Sequence, residues 1–401
     1  MDRRAMGLLA FGHVTDDINQ SFIPAMLPFL IVSLHLTYAA AGTLVLAQAI
    51  SSSVIQPAIG NLADKRPLPW LIGLGLLLAG GGVALMGIMP TYILVFGAAL
   101  ISGVGVACFH PEAGRFANYV AGPKKASGMR WFAVGGNIGF AIGPLFATAV
   151  IGIWGIHGSL FAALPVCLAA ALVFFELPRL RTFLPARRKA GTSPEFADDW
   201  ESFWKLTGFV VLRSACYLGL VAFLPLYAIG VLHTSPPIAA ALDSTYLICG
   251  IAGTIAGGPL ADRFGRRAIL IASTASAAAI VAAFVWFTHG GTAPVGLDFA
   301  FAGLIGFAIV ASQTSFIVLG QEYLPNRIGI ATGVTMGLAV SVGGMFSPVF
   351  GRIGDTLGLT ASMWTIVGLT CAALSFAFVL PPHARRLPYV RSGKPSPASA
   401  S

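Results

Sequence analysis

The sequence predicts an all-α integral membrane protein with twelve transmembrane helices, arranged as two related six-helix halves. The first observation behind this prediction is composition: of 401 residues, 56% are hydrophobic and only 10% are charged, and the mean hydropathy is +0.83. Soluble domains carry roughly 25% charged residues. Almost every window of about 20 residues is apolar enough to span the hydrocarbon of a bilayer, so the membrane is the solvent of this chain.

Twelve apolar runs follow one another along the chain, separated by charges, prolines and polar turns. They predict spans at 5–34, 37–63, 68–89, 91–117, 126–152, 157–177, 203–232, 237–261, 266–289, 294–321, 327–350 and 358–380. The same breaks predict an N-terminal half at 1–177, a cytoplasmic linker at 178–201, a C-terminal half at 202–381 and a disordered cytoplasmic tail at 382–401.

The second observation is where the positive charges fall. All 24 Lys and Arg residues except Arg213 and Arg352 lie in the tails or in every second gap, on one side of the predicted membrane. Lys and Arg are retained on the cytoplasmic side. We therefore expect both termini to be cytoplasmic, which requires an even number of spans.

The third observation is internal repetition at a nearly constant offset. Three motifs of the first half recur in the second: Gly60–Lys65 as Gly258–Arg263 after 198 residues, Leu27-Pro28 as Leu224-Pro225 after 197, and Gly139 with Pro144 as Gly343 with Pro348 after 204. Repeats of this length predict two halves that enclose a substrate site near the bilayer midplane.

Several functional classes are excluded by the pattern. The net charge of +9 is spread over short gaps and forms no basic surface for nucleic acid. The five cysteines stand singly with no metal-ligand spacing, so we expect no metal. The run Gly80–Gly82 lies inside an apolar span and is no nucleotide loop. We expect no enzyme activity and no cofactor.

Two groups of residues are candidates for conformational gating. At the second-to-third gap of each half, a carboxylate at a helix end is followed by basic residues: Asp64 and Arg66 in the first half, and Asp262, Arg263, Arg266 and Arg267 in the second. A plain basic turn is the alternative interpretation. In span five, Gly135, Gly139 and Gly143 share one helical face before Pro144, which permits close approach of another helix.

Charges inside the spans are the most informative residues, because each costs about 3 kcal/mol at a helix centre unless it is paired or faces water. Asp16 and Asp17 lie near the middle of span one. His13 shares a face with Asp17, whereas Asp16 points about 100° away. A carboxyl group removed from water favours its neutral form, so these residues are candidates for carrying a proton.

Arg213 occupies span seven at the repeat offset from Asp16. A guanidinium in a cavity wall suits an anionic group with paired oxygens, and Tyr217 lies one turn further on. The alternative is a structural ion pair between Asp16 and Arg213.

Span four places His110 and Glu112 on either side of Pro111 in its cytoplasmic half. Both side chains titrate, so a proton relay through them is one hypothesis. A helix-end salt bridge between Glu112 and Arg115 is the other.

Taken together, these motifs resemble the major facilitator superfamily, and within it the fosmidomycin-resistance branch. The resemblance is carried by Gly12–Ser21 (GHVTDDINQS), Gln56-Pro57, Asp64–Trp70 (DKRPLPW), Phe109–Glu112 (FHPE), Val134–Gly139 (VGGNIG) and Gln321–Gly329 (QEYLPNRIG). It implies the twelve-helix facilitator fold in a bacterial cytoplasmic membrane. The branch usually has Asn where this chain has Asp16.

The resemblance also implies proton-driven export of a small drug, a phosphonate in the named branch. The resulting hypothesis is an antiporter in which a proton on Asp17, or on the Asp16/Asp17 pair, alternates with a drug-like or anionic compound bound near Arg213, Tyr217, Gln20 and Asn137. Uptake of an organic acid or sugar is the alternative. We expect a monomer whose only partners are the substrate and the bilayer.

Overall fold

The structure is a computed structural model that describes residues 1–65, 68–122, 125–183, 198–288, 294–325, 327, 330–331, 334–335 and 339–381. The side chains at 57, 60, 61, 63–65, 125–130 and 339–341 are outside this description. Within the described residues the regular structure is entirely helical.

The N-terminal half consists of six long helices and a short connector. Their bounds are α1 Arg3–Leu34, α2 Tyr38–Lys65, α3 Trp70–Met86, α4 Tyr92–Ala121, α5 Lys125–Trp154 and α6 Ala163–Phe175, the last preceded by a 3-10 helix at Gly155–Ala162 and followed by α7 at Leu177–Arg181.

The C-terminal half repeats the pattern with more interruptions. Its helices are α8 Trp200–Gly230, α9 Pro236–Phe264, α10 Arg266–Thr288, α11 Val295–Ala311, α12 Gln313–Tyr323, α13 Ala339–Gly344, α14 Ser347–Leu357 and α15 Leu359–Val379.

Twelve spans account for these helices. Nine stretches of the described chain are long and apolar enough to cross a membrane, and one of them, Trp131–Phe175, is 45 residues long and holds two spans. The shorter α3 and the broken pair α13 and α14 complete the set. Most helix ends lie within three residues of the predicted boundaries, because the turns that carry charge and proline end the apolar runs.

The eleventh predicted span, 327–350, is not one continuous helix. A turn follows α13, with the N–H of Phe346 donating to the carbonyl of Gly343 at 3.1 Å, and Pro348 opens α14 in its first turn. Proline has no N–H to continue the preceding ladder. The helix therefore restarts and continues to Leu357, seven residues beyond the predicted end.

Close packing of α1 against α5 holds the N-terminal half together. A β-carbon built at Gly135 would lie 2.5 Å from the carbonyl oxygen of Ala10, one at Gly139 would lie 2.1 Å from that of Val14, and one at Gly143 would lie 2.8 Å from that of Ile18. All three approaches are too short for any side chain. The predicted glycine face is therefore the contact surface of α5, and Pro144 lies within this continuous helix.

The two halves meet at the membrane face opposite the N-terminus, which we call the far face. There the Asp355 carboxylate of α14 accepts the backbone N–H groups of Tyr38 at 2.7 Å and Ala39 at 2.9 Å, at the start of α2. A β-carbon at Gly42 would lie 2.6 Å from the carbonyl oxygen of Ser347, and one at Gly351 would lie 2.3 Å from that of Tyr38. The two halves are thus sealed backbone to backbone at the far face.

At the N-terminal face, Asp2 caps α1 and ties it to α7. Its Oδ1 accepts the N–H of Ala5 at 3.0 Å, and its Oδ2 accepts from Arg179 at 2.7 Å. The pKa of the Asp2 carboxyl is lowered by the hydrogen bond from Ala5 and by the Arg179 guanidinium. Arg4 forms a second ion pair with Glu176.

We expect Asp2→Ala to lower the thermal unfolding midpoint at neutral pH, since losing a helix N-cap costs about 1 kcal/mol. The folded-state pKa lies below the ordinary value of 3.8, so the stabilisation is complete above that value and is lost as the pH falls through the folded pKa. The two unfolding midpoints should converge in acid. A difference that persists in acid would contradict this assignment.

Candidate functional site

Three titratable side chains converge inside the N-terminal half, between α1 and α4. His13 Nε2 lies 3.4 Å from Asp17 Oδ2, and His110 Nε2 lies 3.6 Å from Asp17 Oδ1. Asp17 is only 8% exposed, as is His13. The predicted shared face of His13 and Asp17 is present, and α4 adds His110 to it.

Asp16 joins the same cluster from the neighbouring face of α1. Its Oδ2 lies 3.4 Å from His110 Nδ1 and 3.5 Å from the amide of Gln20, which also donates to Asp17. Asp16 is fully buried, and its Oδ1 has no hydrogen-bond partner among the described residues. Both acids therefore contact His110 and Gln20, although they point in different directions from the helix.

Backbone carbonyls determine which histidine nitrogens carry hydrogen. His13 Nδ1 lies 2.8 Å from the carbonyl oxygen of Phe132, and His110 Nδ1 lies 3.2 Å from that of Val106. A carbonyl oxygen only accepts, so each Nδ1 donates. Both Nε2 atoms then face Asp17 with a lone pair when the rings are neutral. A lone pair facing an ionised carboxylate is repulsive, so a proton on either group makes these approaches more favourable.

The same atoms could hold a metal ion by distance alone, since one ligand atom from each of His13, Asp17 and His110 lies within 4.8 Å of the others. The expectation that the chain binds no metal stays a prediction.

Arg213 occupies a separate buried site in the C-terminal half. Its Nε and Nη2 donate to the carbonyl oxygen of Ile309 at 3.1 and 2.9 Å, and its guanidinium lies 5.3 Å from the ring centre of Tyr217. Among the described residues it forms no ion pair. The alternative of an Asp16–Arg213 pair is therefore absent from this conformation, in which the guanidinium is held by a backbone carbonyl and aromatic rings.

A cavity of ≈ 90 Å³ lies between the halves near mid-membrane. It is lined by Gln20, Pro24, Val45, Gln48, Ala49, Ser52, Phe140, Leu218 and Val221. Of the four predicted substrate-binding residues, only Gln20 is part of this lining. Arg213 and Tyr217 lie elsewhere on α8, and Asn137 is exposed on α5. Gln20 therefore links the acidic cluster to the cavity.

A family model described as Major Facilitator Superfamily matches residues 9–348. The chain belongs to the Major Facilitator Superfamily. It is therefore a multi-pass membrane transporter and not an enzyme. The family membership and the helical fold together confirm the predicted fold class.

Relatives and a solved structure agree with this membership. The chain is 30% identical over 384 residues to the uncharacterized MFS-type transporter YfnC of Bacillus subtilis (strain 168), covering 93% of this chain and 92% of the relative. It is 27% identical over 365 residues to the fosmidomycin resistance protein of Escherichia coli (strain K12), covering 87% and 86%, which supports the predicted branch.

The fold is similar to the crystal structure of a bacterial homolog of the human lysosomal transporter Spinster, in an inward-facing and occupied conformation. The TM-score is 0.79 at 16% identity, covering 94% of this chain and 96% of the other.

Glu112 is placed away from the histidine cluster of this transporter. It is fully buried, lies 3.1 Å from Arg115 and accepts the N–H of Leu68, just before α3. The alternative helix-end salt bridge is thus present. Because Glu112 and His110 point to opposite sides of α4, a relay through both residues is not assembled in this conformation.

The loop-motif residues are only partly joined as predicted. Among the described residues, Asp262 forms no ion pair with the nearby arginines and is exposed. Arg263 lies over the ring of Phe264 at 5.1 Å. Arg266 pairs with Glu322, and Arg267 donates to carbonyl groups at the end of α15. The side chain of Asp64 and the whole of Arg66 lie outside the described residues.

Gly136 is a site residue that the sequence analysis missed. A β-carbon there would lie 2.5 Å from both Asp17 Oδ2 and His13 Nε2, so α5 makes room for the cluster only because this residue is glycine. Its place inside a glycine-rich helix gave no signal that distinguished it from its packing neighbours.

We expect Gly136→Ala to abolish transport, because the added methyl group displaces His13 or Asp17. Overpacking of this kind costs about 1–3 kcal/mol. Transport into proteoliposomes checks this prediction. The matched control is Gly152→Ala on the same helix, where a β-carbon meets nothing within 4 Å. If both variants transport equally well, the cluster does not need this close approach.

Proposed function

We propose that this transporter is a proton-coupled antiporter that exports a small drug-like or anionic compound, with fosmidomycin and related phosphonates as the first candidates. The observation that carries the proposal is the buried His13–Asp17–His110 cluster, joined to the cavity between the halves through Gln20. The similarity to the Escherichia coli fosmidomycin resistance protein supports the choice of drug.

The cluster has the properties that proton exchange requires. Buried ionisable groups in a membrane span are costly and mark ion pathways. Asp17 has two imidazole neighbours and no guanidinium among its described ion-pair partners, so protons are the charges available to balance it. Gln20 both lines the cavity and donates to Asp17. A ligand that draws the Gln20 amide away removes a hydrogen bond to the carboxylate and favours protonation.

Arg213 supplies the anion preference in this proposal. Both of its described hydrogen bonds go to the Ile309 carbonyl, a neutral acceptor. A phosphonate forms charge-assisted, bidentate bonds with guanidinium that are roughly twice as strong. An anion reaching Arg213 can therefore replace the Ile309 carbonyl, and we propose Tyr217 and Asn137 as further polar contacts for it.

Alternating access completes the mechanism. When the far-face seal opens and the N-terminal face closes, the cavity is exposed to the far side, and the reverse motion exposes it to the N-terminal side. The gating groups in this proposal are Asp64, Arg66, Asp262, Arg263, Arg266 and Arg267.

We further propose that the protein lies in a bacterial cytoplasmic membrane with both termini inside, on the basis of its charge distribution. It acts as a monomer and needs no cofactor beyond the coupling proton.

The direction of proton movement tests the proposal against uptake. Fosmidomycin is added outside proteoliposomes that contain a pH-sensitive dye, with EDTA present to exclude metal effects. Antiport predicts that the lumen becomes alkaline, because protons leave as the drug enters. Proton symport, the uptake alternative, predicts that it becomes acidic. No pH change with folded protein would rule out both for this compound.

We expect Arg213→Gln to raise the fosmidomycin concentration for half-maximal transport by about 30-fold, since a lost charge-assisted interaction costs about 2 kcal/mol. Arg213→Lys should recover only part of this, because lysine keeps the charge but loses the planar fork. Arg352→Gln, an exposed arginine outside the cavity, is the control. Equal concentrations in all variants would place anion recognition elsewhere.

A further inference from the structure

The C-terminal half contains a buried carboxyl group that the proposed function does not use. Asp243 lies in the second turn of α9 and is fully buried. Among the described residues, neither of its carboxyl oxygens has a hydrogen-bond partner. It is the only carboxyl group of the described chain for which both oxygens are buried and unpartnered.

The polar groups around Asp243 are directed elsewhere. The hydroxyl of Tyr246, one turn along α9, donates to the carbonyl oxygen of Tyr217 at 3.4 Å. Arg213, whose guanidinium lies 5.3 Å from the ring centre of Tyr217, is held by Ile309. Tyr217 and Tyr246 are the titratable groups close enough to interact electrostatically with Asp243.

The other helices packed against α9 contribute few titratable groups. Residues 131–154 of α5 contain none, and α11 contains only Asp298 in its first turn. In α10 the charged residues are Arg266 and Arg267 at its start, where Arg266 pairs with Glu322 and Arg267 donates to carbonyl groups at the end of α15. In α12 the titratable residues are Glu322 and Tyr323, at the end nearer the N-terminal face. No cation from these segments is available to balance an ionised Asp243.

An ionised carboxylate without hydrogen bonds or a counter-charge is very costly in a dry interior, and such a group neutralises instead. Asp243 therefore carries a proton in the conformation seen here. Burying an unpaired neutral carboxylic acid costs far less free energy than burying an unpaired carboxylate.

The location of Asp243 gives this proton a route. Ala239 and Ala240 line a small space between the halves, together with Phe29 of α1 and Thr148 of α5. Asp243 follows them by four and three residues, so it lies on the same face of α9, one turn deeper. This face is covered by the N-terminal half only while the far-face seal is closed. Opening of the seal brings water to it.

We propose that Asp243 is a second proton-carrying residue of the transporter, which exchanges its proton with the far side when the halves open there. This inference rests on the proposed proton coupling and extends it: the Asp16/Asp17 cluster and Asp243 each carry a proton, one in each half, and the proton on Asp243 moves only in a cycle in which the cluster also exchanges its proton.

Infrared spectroscopy of the reconstituted full-length protein tests the protonation without any substrate. At neutral pH the C=O stretch of a protonated carboxylic acid should be present in the wild type and weaker in Asp243→Asn. A weaker band in Asp243→Asn with unchanged helical absorption supports the proposal. An unchanged band means that Asp243 is not protonated, and it overturns the proposal.

Coupling is then measured as the number of protons moved per fosmidomycin molecule, obtained from the pH gradient that just balances a drug gradient. Asp243→Asn should lower this number by one proton. Asp298→Asn, which removes another buried carboxyl of the same half, should leave it unchanged.

A wild type that shows drug-dependent proton movement and an Asp243→Asn variant with the same ratio would overturn the second carrier and leave the proposed function intact. A wild type without drug-dependent proton movement would instead reject fosmidomycin antiport, and the infrared result would still decide whether Asp243 holds a proton.

Discussion

Asp17→Asn is expected to abolish fosmidomycin-driven proton movement while preserving exchange of fosmidomycin for fosmidomycin. Asparagine has nearly the shape of aspartic acid and can still hydrogen-bond to Gln20, but it cannot bind or release a proton. The neutral side chain also removes the reason for a proton to lie between Asp17 and either histidine. We expect net proton movement to fall by at least about 100-fold, as for loss of an acid–base group.

Two measurements on the same proteoliposomes separate coupling from transport itself. The pH-sensitive dye reports proton movement, and exchange of labelled for unlabelled drug reports access to the cavity without net proton transfer. Loss of both activities would point to misfolding or lost binding, so the variant must also match the wild type in thermal unfolding. Retained proton movement in Asp17→Asn would remove this residue from the coupling mechanism.

Asp16→Asn is the natural comparison, because Asp16 also contacts His110 and Gln20 but does not reach His13. If Asp17 is the carrier, Asp16→Asn changes the pH at which transport is half-maximal but retains drug-driven proton movement. If Asp16→Asn instead abolishes proton movement and Asp17→Asn only changes this pH, the proton resides on Asp16, and its unpartnered Oδ1 is the binding atom.

Asp355→Ala is expected to open the far face. The carboxylate caps the first turn of α2 from the opposite half, where exposed backbone N–H groups and the helix dipole favour an anion. Losing such a cap costs about 1–2 kcal/mol, which changes the ratio of open to closed molecules by about tenfold. The cap exists only when the halves are in contact, so its loss destabilises only the closed state and shifts the equilibrium between closed and open molecules.

Spin labels at Val32 and Leu357, both highly exposed, can report the separation of the halves by pulsed dipolar spectroscopy. The exposed Cys167 and Cys371 are first replaced by serine. A longer distance component should grow in Asp355→Ala and stay unchanged in Thr356→Ala, whose hydroxyl bonds only within α14. Identical distance distributions in both variants would show that other contacts hold the seal.

The twelve spans were predictable because hydrophobicity and chain breaks are local properties. The shared face of Gly135, Gly139 and Gly143 was predictable for the same reason, because residues spaced by about one helical turn lie on one side of a helix. The break at Pro348 was not, because proline lies within unbroken α5 at Pro144 but restarts the helix at the equivalent place in the second half.

The site was predictable only in part, because partners across helices are not visible in local sequence. His13 and Asp17 are four residues apart, and their pairing follows from helix geometry. The contact of His110 with both acids joins residues almost a hundred positions apart. Asp243 and Asp355 were not identified from the sequence, because the distinction between a buried and a capping carboxylate depends on the packing of distant helices.

The capping of α2 by Asp355 also provides an intrinsic reporter of the transport cycle. The amide hydrogens of Tyr38 and Ala39 lie in the first turn of their helix, where no intrahelical acceptor is available, and they are protected by a carboxylate that belongs to the other half. Their exchange with deuterium therefore requires separation of the halves. Mass spectrometry of the unmodified protein can thus measure how often the far face opens in the presence of any ligand or at any pH, without an attached label.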